Sequence, residues 1–162
     1  METSVVIYHS RHGNTERILR EMAGDTRPAI RLVRVEEAGA ADIAGAERIA
    51  VGGPVYGGRI GKEIVRCCSR NRKELLSKPL ALFIGGVSRA RFSNQLEMAY
   101  PAELREHAEF LTTIGGDIDI DRLPPLTRFL ARMITTTEAD RHFTCVEGRE
   151  KLIEFLSGEA AD

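Results

Sequence analysis

Apolar residues fall along this chain in short bursts separated by longer polar stretches. Ser4 to Tyr8 is a brief β-branched run, the pattern of a central parallel strand buried on both faces. From Asn14 to Met22 the spacing becomes helical, with Ile18, Leu19 and Met22 on one face and Gly24 and Pro28 ending it. Ile30 to Val35 reads as a strand nearer an edge, because Arg31 and Arg34 interrupt it. Gly39 to Ala46 is a short helix, Arg48 to Gly52 a buried strand, Gly61 to Leu76 a helix and Leu80 to Ile84 another buried strand. A polar stretch from Arg91 to Met98 precedes a helix over Pro101 to Leu111, opened by its proline. Thr113 to Ile120 is a further strand, interrupted by Gly115 and Gly116. Pro124 and Pro125 then break the chain. In the helix that follows, Leu126, Phe129, Leu130, Met133 and Ile134 share one stripe. Val146 to Leu156 is the last helix, and the tail over about 158–162 frays.

Strands that alternate with helices predict an α/β fold, a parallel sheet covered on both faces, in a single domain over 1–162. Three strands run into stretches of unusual chemistry. The first ends in Ser10, Arg11, His12, Gly13, Asn14 and Thr15. The third ends in Gly53, Pro54, Val55, Tyr56, Gly57 and Gly58, and the fourth in Gly85, Gly86, Val87, Ser88 and Arg89. Open α/β sheets bind ligands at the carboxyl ends of their strands, so three such loops predict one site.

The first loop has the makings of an anion site. A helix's opening turn leaves backbone N–H groups unpaired and carries partial positive charge. Ser10, Asn14 and Thr15 add side-chain donors, and Gly13 allows close approach. The loop lacks the lysine-bearing nucleotide motif and the three-glycine dinucleotide motif. It has no acidic residue at the strand end and no cysteine. A small phosphate monoester remains, with FMN the leading candidate, although an ordinary capped turn uses the same residues. His9 and His12 flank the loop. His9 is expected to be structural, and either imidazole could donate to phosphate.

Charge and cysteine content refine this picture. Residues 1–80 carry 14 Lys and Arg against 10 Asp and Glu, and residues 81–162 carry 9 against 14. The segment Arg59–Lys78 is locally basic. It reads as a solvated helix face or as a docking patch for an acidic partner or a peripheral membrane surface. No stacking aromatics are interleaved there, so nucleic acid is not an expected partner. The three cysteines suit neither a disulfide framework nor a metal site. Asp117, Asp119 and Asp121 lack the glycine and distal glutamate of a calcium loop. No apolar run reaches membrane-spanning length and the N-terminus lacks a signal-peptide pattern, so the expected compartment is cytoplasmic.

The order strand, Ser-x-x-Gly-x-Thr, then Pro-Val-Tyr-x-Gly, then Gly-Gly-Val-Ser resembles the flavodoxin fold. It is most similar to the short-chain flavodoxin-domain branch that includes menaquinone-dependent protoporphyrinogen oxidase. The tail supports the likeness through the apolar helix with Phe129 and Met133 and through Thr136-Thr137-Glu138-Ala139-Asp140. The resemblance implies a three-layer sandwich with a five-stranded parallel sheet of order 2-1-3-4-5, and noncovalent FMN. By position, Ser10 to Thr15 would cradle the phosphate. Pro54, Val55, Tyr56, Gly57 and Gly58 would line one side of the flavin ring, with Tyr56 the main contact, and Gly85, Gly86, Val87, Ser88 and Arg89 the other. It implies an oxidoreductase similar to protoporphyrinogen oxidase that exchanges electrons with a quinone or a redox partner protein. The alternative is a small electron-transfer protein with no substrate of its own. The chain departs from the branch in having no tryptophan. No residue stands out as a catalytic acid or base, and oligomeric state is not legible.

Overall fold

The computed structural model describes residues 3–24, 29–56, 59–86, 92–117, 124–134, 142–143 and 145–158. The strands are β1 (Ser4–Tyr8), β2 (Ile30–Arg34), β3 (Arg48–Tyr56), β4 (Arg59–Ile60), β5 (Leu80–Gly85), β6 (Phe110–Asp117) and β7 (His142–Phe143). The helices are α1 (Asn14–Ala23), α2 (Ala40–Ala44), α3 (Lys62–Arg70), α4 (Arg72–Leu75), α5 (Phe92–Ala99), α6 (Ala102–His107), α7 (Pro125–Ile134) and α8 (Val146–Ser157).

Successive strand side chains point to opposite faces, and the inner strands divide accordingly. Val5, Ile7, Ile49, Val51, Leu82 and Ile84 meet Ile43 of α2, Ile64, Cys67 and Cys68 of α3, Leu75 of α4 and Leu104 of α6. Val6, Tyr8, Ala50, Ala81 and Phe83 meet Ile18 and Leu19 of α1 and Leu152, Phe155 and Leu156 of α8. The result is a sheet between two helical layers, in the order β2-β1-β3-β5-β6-β7, with β4 paired to β3. The five parallel strands follow the predicted order. The short β4 and β7 add antiparallel pairings to β3 and β6. Burial keeps both thiols of α3 protonated, pushing Cys67 upward and Cys68 to about 12. These cysteines are core residues.

Several boundaries differ from expectation for identifiable reasons. The third strand does not stop at Gly52. It continues to Tyr56, with Gly52, Gly53 and Pro54 in register with Phe83, Ile84 and Gly85. A Cβ at residue 52 would stand 2.4 Å from the Phe83 carbonyl oxygen, so glycine here serves close strand approach and not a loop. Pro54 is tolerated because β1 pairs with β3 only as far as Gly52, so the β1 ladder asks no N–H of residue 54.

The helix expected over Gly61–Leu76 is broken at Asn71, whose side-chain amide and backbone N–H both donate to the Cys67 carbonyl at 3.0 Å. The stretch after Arg91 is helix α5 and not a polar loop. The helix expected to reach Leu111 stops at His107, because Phe110 and Leu111 pair with Ala81 and Leu82 as the start of β6. Gly115 and Gly116 lie within β6, where the register shifts beside Gly85. Of the acidic alternation, Asp117 ends β6, while Asp119 and Asp121 lie outside the described residues.

Tyr100 joins the helical layer to the sheet centre. Its buried hydroxyl donates to the Phe83 carbonyl at 2.6 Å and lies 3.0 Å from the Val51 carbonyl. No helix among the described residues is long and apolar enough to cross a membrane.

Gly52→Ala is expected to destabilise the protein by about 2 kcal/mol through overpacking against Phe83. Gly24→Ala, where the φ is −56° and the nearest atoms are at ordinary contact distance, should change stability by less than about 0.5 kcal/mol. Urea unfolding of both variants checks the contrast.

Candidate functional site

The site is built from the carboxyl ends of β1, β3, β5 and β6. After Tyr8 the chain leaves the sheet, and His9 N–H donates to the Gly52 carbonyl at 3.1 Å. Gly13 then starts α1 with a φ of +82° and no side-chain cap, a conformation that disfavours a Cβ. The Glu16 N–H of the first turn donates to Ser10 Oγ at 3.3 Å. Ser10 and Thr15 are buried, Asn14 is half-buried, and Arg11, His12 and Gly13 are exposed. The loop thus carries hydroxyls at its base and charge at its rim.

A second-strand arginine holds this loop from behind. Arg34 donates through Nη2 to the Ser10 carbonyl at 3.1 Å and through Nη1 to Glu16 Oε2 at 2.5 Å. Its guanidinium lies 6.0 Å from the centre of the Tyr8 ring. Arg20 completes the clamp on Glu16 Oε1 at 2.8 Å. The hydrogen bond from Arg20 and the charges of Arg20 and Arg34 hold the Glu16 carboxyl below its usual range, against an opposing push from burial. Sequence reasoning noticed Arg34 only as an interruption in a strand. Its neighbours across the sheet are set by pairing that no local pattern reveals.

His9 is engaged by carboxylates outside the loop. Its Nδ1 pairs with Glu36 Oε1 at 2.8 Å, and its Nε2 lies 3.9 Å from Glu63 Oε2. Burial pushes Glu36 up, but its own backbone N–H, His9 and Arg34 outweigh this and leave its carboxyl below the usual range. His9 is therefore a tie between the segment after β2 and the start of α3, in keeping with a structural role.

The other strand ends close around the loop. A Cβ at Gly53 would stand 3.2 Å from His9 Cβ, and one at Gly85 would stand 3.4 Å from Thr15 Oγ1 and 3.7 Å from Pro54. Gly86 N–H donates to the Gly115 carbonyl at 3.2 Å. A Cβ at Gly116 would stand 3.5 Å from Asn14 Nδ2, which brings β6 into the same neighbourhood. No sequence signal singled out that fourth wall. Around Gly13 and Gly86 a Cβ would meet nothing within 4 Å, so both backbones border open space.

Tyr56 is 47% exposed at the rim, edge-on to His12 with ring centroids 6.1 Å apart. Burial pushes its phenol up, partly offset by Arg11, so the ring is a neutral aromatic surface. Val55 turns its side chain into the core. Gly57, Gly58, Val87, Ser88 and Arg89 lie outside the described residues.

The basic stretch is partly committed to the fold. Arg72 pairs with Glu103 at 2.5 Å, and Lys78 Nζ donates to the Ala44 carbonyl at 2.8 Å and to the Ala46 carbonyl. Arg59, Lys62, Arg66, Arg70 and Lys73 remain exposed.

A family model described as the flavodoxin domain matches residues 5–144. No curated protein matches the chain. Among solved structures, the chain is similar to a flavodoxin of Streptococcus pneumonia TIGR4, at 15% identity over 98% of this chain and 99% of that one, with a TM-score of 0.56. It is similar to a short-chain flavodoxin associated with a non-canonical PDU bacterial microcompartment, at 17% identity over 99% and 100%, with a TM-score of 0.57. It is also similar to the rubredoxin oxygen:oxidoreductase of the anaerobe Desulfovibrio gigas, at 15% identity and a TM-score of 0.60. There 98% of this chain spans only 36% of the other. These structural likenesses speak to the fold alone. The family match, which runs from β1 into β7, carries the assignment: the chain belongs to the flavodoxin domain family.

Proposed function

We propose that this chain binds FMN and works as a flavodoxin-type oxidoreductase. The observation that carries this reading is the convergence of glycine-bearing strand ends on the start of α1, where Gly13 supplies no side-chain cap and Ser10 and Thr15 lie at the base of the loop. Donors of that kind suit a phosphate dianion, and a helix start favours negative charge. The residues that would hold the phosphate are Ser10 to Thr15. Pro54 and Tyr56, with Gly57 and Gly58, would meet one side of the ring system. Gly85 and Gly86, with Val87, Ser88 and Arg89, would meet the other.

When bound, the flavin supplies the electron chemistry, and the protein supplies position and electrostatics. Arg34, Glu16 and Arg20 keep the phosphate loop in one shape. Tyr56 gives a neutral aromatic wall at the rim, which excludes water from the surface it covers.

Within this class we favour an enzyme with a substrate of its own, protoporphyrinogen or a related reduced tetrapyrrole, and a quinone acceptor. The support is the resemblance of the loop order and of the tail. The second reading is a pure electron carrier, favoured by the exposed Arg59, Lys62, Arg66, Arg70 and Lys73, which suit an acidic redox partner protein. Flavin-dependent oxidation of protoporphyrinogen by the purified protein supports the first. Its absence, together with salt-sensitive electron exchange with an acidic partner, supports the second.

Purified protein mixed with FMN and desalted should retain one flavin per chain, read by visible absorbance. Ser10→Ala should weaken FMN binding by about tenfold. Tyr56→Ala should weaken it without unfolding the protein, since the ring is half exposed. A colourless protein that takes up no FMN contradicts the proposal.

The clamp behind the loop makes a separate prediction. Because the folded Glu16 carboxyl is depressed, its stabilisation is present above the unfolded glutamate value and is lost as pH falls through the folded one. The urea midpoint should therefore drop below about pH 4, and Glu16→Gln should show a smaller drop over the same interval.

A further inference from the structure

Between the segment that follows β2 and helix α3 lies a cleft of about 170 Å³. Its buried lining includes Val35 and Cys67, and burial keeps that thiol protonated and neutral. Glu36 and Glu63 line it against Arg66 and Arg70, so the lining carries no net charge. The two signs are sorted. Both glutamates approach one imidazole, Glu36 at 2.8 Å from His9 Nδ1 and Glu63 at 3.9 Å from His9 Nε2, so they lie together. Arg66 and Arg70 follow further along α3, one turn apart.

These groups have capacity to spare. Neither arginine forms an ion pair with a described residue, although Glu63 and Arg66 stand at the helical spacing that favours one. The approach of Glu63 to His9 is too long for a hydrogen bond. Buried Asn71 lines the cleft beside Arg70. Its amide nitrogen is committed to the Cys67 carbonyl at 3.0 Å, while its Oδ1 accepts from no described residue.

We propose that this cleft binds a short zwitterion, a small molecule with a carboxylate at one end and an ammonium at the other. The planar arginine fork matches a carboxylate, and Arg66 and Arg70, one turn apart, meet it from the same helix face. The ammonium goes to Glu63, with Glu36 beside it. Asn71 Oδ1 is open to a hydroxyl or amide carried by the frame. The two glutamates repel a polyanion and the two arginines repel a simple amine, so a ligand bearing both signs is selected. The volume exceeds the roughly 150 Å³ that holds benzene and falls short of the roughly 300 Å³ at which sites for drug-sized ligands begin. The proposal does not rest on flavin binding.

The test is a titration of the full chain followed by amide-resolved NMR. The probes are γ-aminobutyrate and ε-aminocaproate, with caproate and hexylamine as probes of one charge each. At least one zwitterion should bind saturably, and at least about tenfold more tightly than either single-charge probe. The resonances that move should be those of residues 35–38 and 63–71 and of the Asn71 side-chain amide. The double variant Arg66→Gln, Arg70→Gln should bind the zwitterion at least about tenfold more weakly, as should Glu63→Gln. Both arginines are exposed, so circular dichroism of the double variant should remain that of the wild type. Absence of saturable binding by both zwitterions overturns the proposal, as does equal affinity for caproate or hexylamine. Unchanged affinity in the double variant, or shifts confined to other parts of the chain, overturns it as well.

Discussion

The close approach of β3 to β5 is the constraint on which the site depends. At Gly52 the two backbones come near enough that a Cβ would meet both the carbonyl oxygen and the ring of Phe83. That spacing allows β3 to stay paired two residues beyond the end of β1, through Gly53 and Pro54. The extension sets Pro54 beside Gly85 and carries Tyr56 out to the rim, next to His12. Tyr100 reinforces the same junction from the helical side, with its hydroxyl on Phe83 and near Val51. Packing at the sheet centre and geometry at the ligand end are therefore one problem, solved largely by the absence of a side chain.

The loop after β1 is held by charge on a scale that only the fold supplies. Arg34 comes from the neighbouring strand, Glu16 from the first turn of α1 and Ser10 from the loop itself. Exposed ion pairs stabilise a fold little, but an arginine that binds a carboxylate and a backbone carbonyl at once restricts shape. On the other side, His9 links Glu36 and Glu63 and spaces β3 from the start of α3. These two ties leave the hydroxyls of Ser10 and Thr15 at the base of a pre-shaped loop. A cradle rigid before its ligand arrives loses less conformational freedom on binding.

Much of this was legible in the sequence because burial follows period. The runs Val5-Val6-Ile7, Ile49-Ala50-Val51 and Leu80 to Ile84 are apolar at every position, which only a strand covered on both faces requires. The odd composition of three strand ends marked stretches whose described parts the fold brings to one end of the sheet. What local pattern could not carry was long-range. Gly52 looked like the start of a loop because its neighbour Phe83 is distant in sequence. Asn71 breaks a helix by donating to Cys67, a choice indistinguishable from a solvated asparagine. Gly148 is spaced for α8 to lie against β6, where a Cβ would fall 2.0 Å from the Thr113 carbonyl oxygen. The stripe on α7 was visible as a stripe, but that it is exposed is a property of the folded chain and not of its periodicity.

The account's central claim is that the start of α1 is a phosphate site and not merely a capped turn. Calorimetric titration with FMN and with riboflavin, which differ by that phosphate, tests it most directly. The account predicts that FMN binds at least about a hundredfold more tightly than riboflavin, through charge-assisted hydrogen bonds at the loop. Equal affinity for the two flavins would contradict it, and would return Ser10 to Thr15 to the status of an ordinary turn.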